Sequence, residues 1–203
     1  MRPGRWFLPE QPDVIGMLRA QLELTLAAMD ELASWAARES DGGKAIEVVE
    51  RRSEESKRAM MRAIREAFVL PIEPEDAFAL SRGLDWIISD AVELVAEANV
   101  LEYEPDVGLA EMAALMREAV VQLDEAASHL ANNTQKGIDA AEAAIAIERQ
   151  IGAAYQRRMA ELLGVEDRNA RIAQRELYRR CSAIGDTIVE VAERIMYAVL
   201  KQS

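Results

Sequence analysis

Phe68-Val69-Leu70-Pro71-Ile72-Glu73-Pro74-Glu75-Asp76, running into Leu80-Ser81-Arg82-Gly83-Leu84-Asp85-Trp86-Ile87-Ile88, reads as a helix stop followed at once by a helix start. Pro71 cannot continue a helix and biases Leu70 away from the α region. Pro74 suits a first helical turn, where Glu75 and Asp76 meet the positive end of the helix dipole. A link this short obliges the two long helices it joins to pack antiparallel.

Outward from this junction, the punctuation divides the chain into six helical segments. The first runs from about Pro12 to Arg38 and stops at Ser40-Asp41-Gly42-Gly43, which offers two residues free to take positive φ. The second spans Lys44 to Leu70 and the third Pro74 to about Leu101. Glu104-Pro105-Asp106 breaks the chain, with Asp106 as N-cap of a fourth helix ending near Ala131. Asn132-Asn133-Thr134 is the next turn. The fifth helix reaches Leu163, with Gly164 as its C′ residue, and the sixth spans Glu166 to Leu200. Leu177, Cys181, Ile184, Ile188, Val191, Ile195 and Ala198 recur at spacings of three and four, as do Leu84, Ile87, Ala91, Leu94 and Ala98. Each series is a seam that faces partner helices. No useful stretch alternates with period two, so the predicted class is all-α.

Composition agrees. Of 203 residues, 50% are hydrophobic and 30% charged, with Ala, Leu, Glu, Arg and Met abundant, as a folded helical protein requires. The net charge of −12 repels phosphate backbones and argues against nucleic acid. It also disfavours anionic membranes, except at a local basic patch such as Arg157, Arg158, Arg168 and Arg171. A single cysteine, Cys181, excludes an intramolecular disulfide. The start of the chain has no apolar stretch long enough for a signal peptide, and the longest apolar run, Ala67 to Ile72, is far short of a membrane span. The chain is expected to be soluble and cytoplasmic.

The sequence also repeats. Met29-Asp30-Glu31-Leu32-Ala33-Ser34-Trp35 matches Leu123-Asp124-Glu125-Ala126-Ala127-Ser128-His129, and Gly43 matches Gly137 at the same offset. The third and sixth helices pair Leu80 with Leu177, Arg82 with Arg179 and Glu93 with Glu190. Two three-helix units follow, over residues 1–104 and 105–203.

The Phe68–Asp76 junction and the Leu84-Asp85-Trp86-Ile87-Ile88 helix resemble the PhoU-like phosphate-transport regulators of the branch that accompanies Pit-type inorganic phosphate transporters. The family pattern carries Thr where Leu70 stands. The resemblance extends over nearly the whole chain and implies two repeated antiparallel three-helix bundles of six long helices. It implies a non-enzymatic cytoplasmic regulator that touches a Pit-type transporter at its cytoplasmic face, peripheral to the inner face of the plasma membrane and without insertion. Self-association is left open.

Catalytic groupings are missing from the sequence. His129, the sole histidine, matches Trp35 in the repeat, a packing position, and no Glu-x-x-His motif is present. Cys181 lies on the apolar seam. The resemblance implies acidic pairs spaced i, i+4 on the second and third helices of each bundle, where a divalent or iron-type metal ion can be held. Glu50 and Glu54 supply the first pair. Asp85 supplies half of the second, its partner being Ser89 with Asp90 one residue along. Glu148 stands opposite Gly152 in the third, and Ser182 precedes Asp186 in the fourth. Chance alone yields roughly six acidic i, i+4 pairs in such a composition. The spacing is therefore no evidence for a metal, and solvated helix faces explain the same residues. The rival function is accordingly a helical protein that stores or senses metal ions. Any metal is expected to favour the first unit, at a site open to water because Asp85 flanks the Leu84–Ile87 seam. Trp6, Phe7 and Leu8 are expected to fold back as a cap, with a partner or membrane contact as the alternative.

Overall fold

The structure, a computed structural model, describes residues 11–41, 43–130 and 134–201. The expectations for Trp6, Phe7 and Leu8 and for Gly42, Ala131, Asn132 and Asn133 lie outside the described residues. Six α-helices follow in order: α1 (Val14–Ala36), α2 (Gly43–Glu66), α3 (Pro74–Val100), α4 (Val107–Ser128), α5 (Thr134–Glu161) and α6 (Arg168–Leu200), with a 3-10 turn over Leu162–Gly164. No strand occurs among the described residues, so the all-α reading holds.

The seams inferred from spacing form the core. Leu84, Ile87, Ala91, Leu94 and Ala98 of α3, and Leu177, Cys181, Ile184, Ile188, Val191, Ile195 and Ala198 of α6, are all buried. Each large apolar side chain among them contributes about 1.5–3 kcal/mol through removal from water. Helices α1, α2 and α3 pack on one another, as do α4, α5 and α6, while α1 against α4 and α3 against α6 join the two groups through one continuous core. Neighbours run antiparallel. Ser53 and Lys57 of α2 meet Asp85 of α3, Asp30 of α1 meets Arg117 of α4, and Glu97 and Asp76 of α3 meet Arg180 and Arg194 of α6. Arg19 of α1 acts on Asp124 of α4, so each aspartate of the repeated segment faces an arginine of the other helix.

Four local details differ from the sequence reading. First, α2 ends at Glu66, four residues before Leu70. Pro71 restricts only Leu70, and the helix stops sooner because Phe68 finds no core there: it is 92% exposed, whereas Ile72 is buried. Second, α1 turns on Arg38 rather than on a glycine. Arg38 takes φ 62° while Glu39 N–H donates to Ser34 C=O, a Schellman-like ending. The Arg38 side chain is held by Pro105 C=O at 2.7 Å and Glu104 at 3.2 Å, which helps to fix this conformation. Third, α5 ends at Glu161 and closes through a 3-10 turn that takes in Gly164, and α6 begins at Arg168, where the Asp167 carboxylate caps Asn169 N–H. Fourth, Asp85 is buried rather than open to water, because α2 covers the flank of the α3 seam.

Asp106 is the N-cap that the sequence indicates, accepting from Leu109 N–H at 2.9 Å. Its other oxygen accepts from Tyr178 at 2.7 Å, Tyr103 at 3.0 Å and Gln174 at 3.1 Å, tying the start of α4 to α6. Burial alone would raise its pKa, but these hydrogen bonds outweigh burial and hold the carboxyl below its usual range.

Candidate functional site

The acidic motifs of the first unit meet between α2 and α3. Ser53 Oγ donates to Asp85 Oδ1 at 3.1 Å, and the Lys57 ammonium sits on Asp85 Oδ2. Glu50 lies near Asp85 and accepts from Ser89. Partial burial pushes its carboxyl up, the Ser89 hydrogen bond opposes this, and Glu54 and Asp85 reinforce it. Glu54 turns outward to Arg58 at 2.8 Å. Asp90 belongs to another face. Burial raises its carboxyl, followed by Glu93, while Arg180 of α6 lowers it.

In the second unit, Glu148 of α5 lies beside Asp186 of α6. Burial, then Asp186, pushes Glu148 up, and Arg149 works against them. A Cβ added at Gly152 would lie 3.7 Å from Glu148 Oε1, so this glycine leaves an open place in the motif rather than a tight one.

Among the described residues, no three His, Cys, Asp or Glu side chains converge as a group able to hold a metal ion. Lys57 already supplies at Asp85 the positive charge that a cation would bring, and the second unit offers two carboxylates alone. These residues as arranged do not fit a resident metal cluster, which gains from ligand number and charge. His129 bonds Glu125 at 3.1 Å. Cys181 is fully buried, and burial pushes its thiol up to about 12, which keeps it from acting as a thiolate.

A feature that the sequence reading missed lies on the outer side of the same helix pair. Arg58, Met61, Arg62 and Arg65 of α2 face Phe78, Arg82 and Trp86 of α3 across an open groove of about 610 Å³. Arg82 lies over Trp86 at 4.6 Å and over Phe78 at 5.4 Å. Arg58, Arg62 and Arg65 stand at i, i+4, i+7, and Phe78, Arg82 and Trp86 at i, i+4, i+8. Those spacings were available in the sequence, but separately each series reads as a solvated face. Half of the basic patch suggested by sequence is neutralised: Glu111 bonds both Arg157 and Arg158, and Arg158 also meets Glu161 at 2.9 Å, whereas Arg168 and Arg171 form no ion pair among the described residues.

The sequence matches no protein-family model and no curated protein. The fold does have solved counterparts. One is a PhoU-like protein from Shewanella oneidensis MR-1, with TM-score 0.76 and 13% identity over 92% of this chain and 99% of that one. Another, from the same organism, is designated a PhoU-like phosphate regulatory protein, with TM-score 0.76 and 14% identity over 93% and 100% of the two chains. This chain therefore has the PhoU-like all-α fold.

Proposed function

We propose that this protein is a non-enzymatic regulator of inorganic phosphate transport, working in the cytoplasm against the inner face of a Pit-type phosphate transporter. The observation that carries the reading is likeness to a PhoU-like phosphate regulatory protein across 93% of this chain and the whole of that one. Electrostatics support it. Short cytoplasmic loops of membrane proteins are rich in Lys and Arg, and a body of net charge −12 is attracted to them. None of the described helices is long and apolar enough to cross a membrane, which agrees with action from outside the bilayer. Metal storage has weaker support, because Lys57 neutralises Asp85 and no three-ligand group forms among the described residues.

Deletion should alter phosphate uptake or phosphate-responsive expression, and the tagged protein should recover a phosphate transporter from detergent-solubilised membranes. Unchanged uptake and expression across all phosphate regimes would overturn the reading.

A further inference from the structure

The groove between α2 and α3 concentrates positive charge on a strongly negative protein. Arg62, Arg65 and Arg82 form no ion pair with a carboxylate among the described residues, and Arg58 shares only the exposed Glu54. The apolar groups beside them are also uncovered. Trp86 and Phe78 are 44% and 37% exposed, and three and four residues beyond Arg65, just past the end of α2, Phe68 and Val69 stand 92% and 57% exposed. Phe78, Arg82 and Trp86, spread over about 12 Å of α3, make an amphipathic face with no partner among the described residues.

We propose that this corner is a membrane-contact surface that seats the protein on anionic phospholipid headgroups, with Phe68 and Val69 entering the interface and Arg58, Arg62, Arg65 and Arg82 meeting the phosphates. Charge complementarity selects this occupant. Cytoplasmic loops of a transporter carry the wrong sign for four arginines, whereas inner-leaflet lipids carry the right one. A helix laid in the groove would leave Phe68 and Val69, beyond the end of α2, in water. The negative body does not prevent the approach, because charges more than about 8–10 Å from the surface are screened at physiological salt while the groove arginines act at contact. The assignment deepens the proposed function and rests on it for a working place beside a membrane.

The test is flotation of the full chain with vesicles of phosphatidylcholine alone and of phosphatidylcholine mixed with phosphatidylglycerol. The chain should float with the mixed vesicles only and be released by added salt. Arg62→Gln and Arg65→Gln should each weaken partitioning about fivefold, on the order of 25-fold together. Phe68→Ser, at a site too exposed to affect folding, should weaken it roughly tenfold. Arg168→Gln with Arg171→Gln, an equal change in net charge elsewhere, should leave it within about twofold. Equal flotation with both vesicles, no flotation, or equal loss in the two arginine pairs would overturn the proposal. So would displacement by inorganic phosphate beyond that by chloride at matched ionic strength, or binding of an acidic amphipathic peptide by a chain that ignores vesicles. The vesicles contain no transporter, so failure here leaves the regulatory reading standing, and failure of the uptake experiment leaves this result standing.

Discussion

The α2–α3 face and the α5–α6 face are built on the same three-helix plan but treat charge in opposite ways. Between α2 and α3 a buried aspartate, Asp85, lies under Lys57, and the neighbouring arginines are left to point outward. Between α5 and α6, Glu148 and the exposed Asp186 stand together without a lysine, and Arg157 and Arg158 of α5 are taken up by Glu111 and Glu161. A net charge of −12 is thus no guide to what any one face presents. Partner chemistry depends on which charges are paired internally, and pairing depends on which helices meet.

The sharpest way to break this comparison is to remove the aspartate from each side. Asp85→Ala deprives Lys57 and Ser53 of their shared acceptor in a buried setting and should cost about 2–3 kcal/mol, with Lys57's partial exposure keeping the loss at the low end. Asp186→Ala should change stability by no more than about 0.5 kcal/mol in either direction, because its carboxylate is exposed beside another acid. Urea denaturation midpoints at neutral pH measure both. Comparable losses would show that Lys57 does not distinguish the two faces.

A second contrast lies in how closely the helices approach. A Cβ on Gly83 of α3 would sit 2.5 Å from Val191 Cγ2 of α6, and a β-branched side chain has little room to yield. Gly83→Ala should therefore destabilise by about 1–2 kcal/mol despite the better helix propensity of alanine. At Gly185 of α6 the nearest atoms are Glu148 Cγ at 3.4 Å and Ile151 Cγ2 at 3.5 Å, close to ordinary contact. Gly185→Ala should be neutral or stabilising by up to about 0.5 kcal/mol. Thermal unfolding of the two variants checks the order, and a stabilised Gly83→Ala would mean that α3 and α6 lie further apart than described.

The helices, both buried seams and the Asp106 cap were legible in the sequence because each is a local pattern: three- and four-residue spacing, or an acidic residue ahead of an apolar run. What sequence spacing did not reveal depends on a second helix. Asp85 sits one position off the Leu84–Ile87 seam and reads as a surface residue until α2 covers it. The groove arginines read as solvated charge until Phe78 and Trp86 are brought opposite. The early end of α2 was missed for another reason: a proline marks where a helix must stop, not where it has ceased to gain from continuing, and Phe68 has nothing to pack on. The partnership of Arg157 and Arg158 with Glu111 spans two helices and left no local mark.

The smallest expected effect concerns the acidity of the second unit. Burial and then Asp186 raise the Glu148 carboxyl above its ordinary 4.5, against a weaker opposing pull from Arg149. For an acid raised in the folded state, the native protein retains a proton that the unfolded chain has already lost. Stability attributable to Glu148 therefore falls as pH rises from 4.5 through the higher folded value, and the penalty is complete and constant above it. Glu148→Gln removes this penalty and should stabilise the protein at pH 7 by a few tenths of a kcal/mol, a size set by screening at a half-buried site. Below pH 4.5 the gain should vanish, since native and unfolded chains are then both protonated. Asp186→Asn should lower the Glu148 value without abolishing the shift, because burial, the larger cause, remains. Denaturation midpoints for the native chain and both variants between pH 4 and 8, with carboxyl titration of Glu148 by NMR, measure these differences. A Glu148→Gln advantage that persists unchanged at pH 4 would show that packing, not ionisation, is its source, and the α5–α6 face would then lose its claim to be the one with unrelieved negative charge.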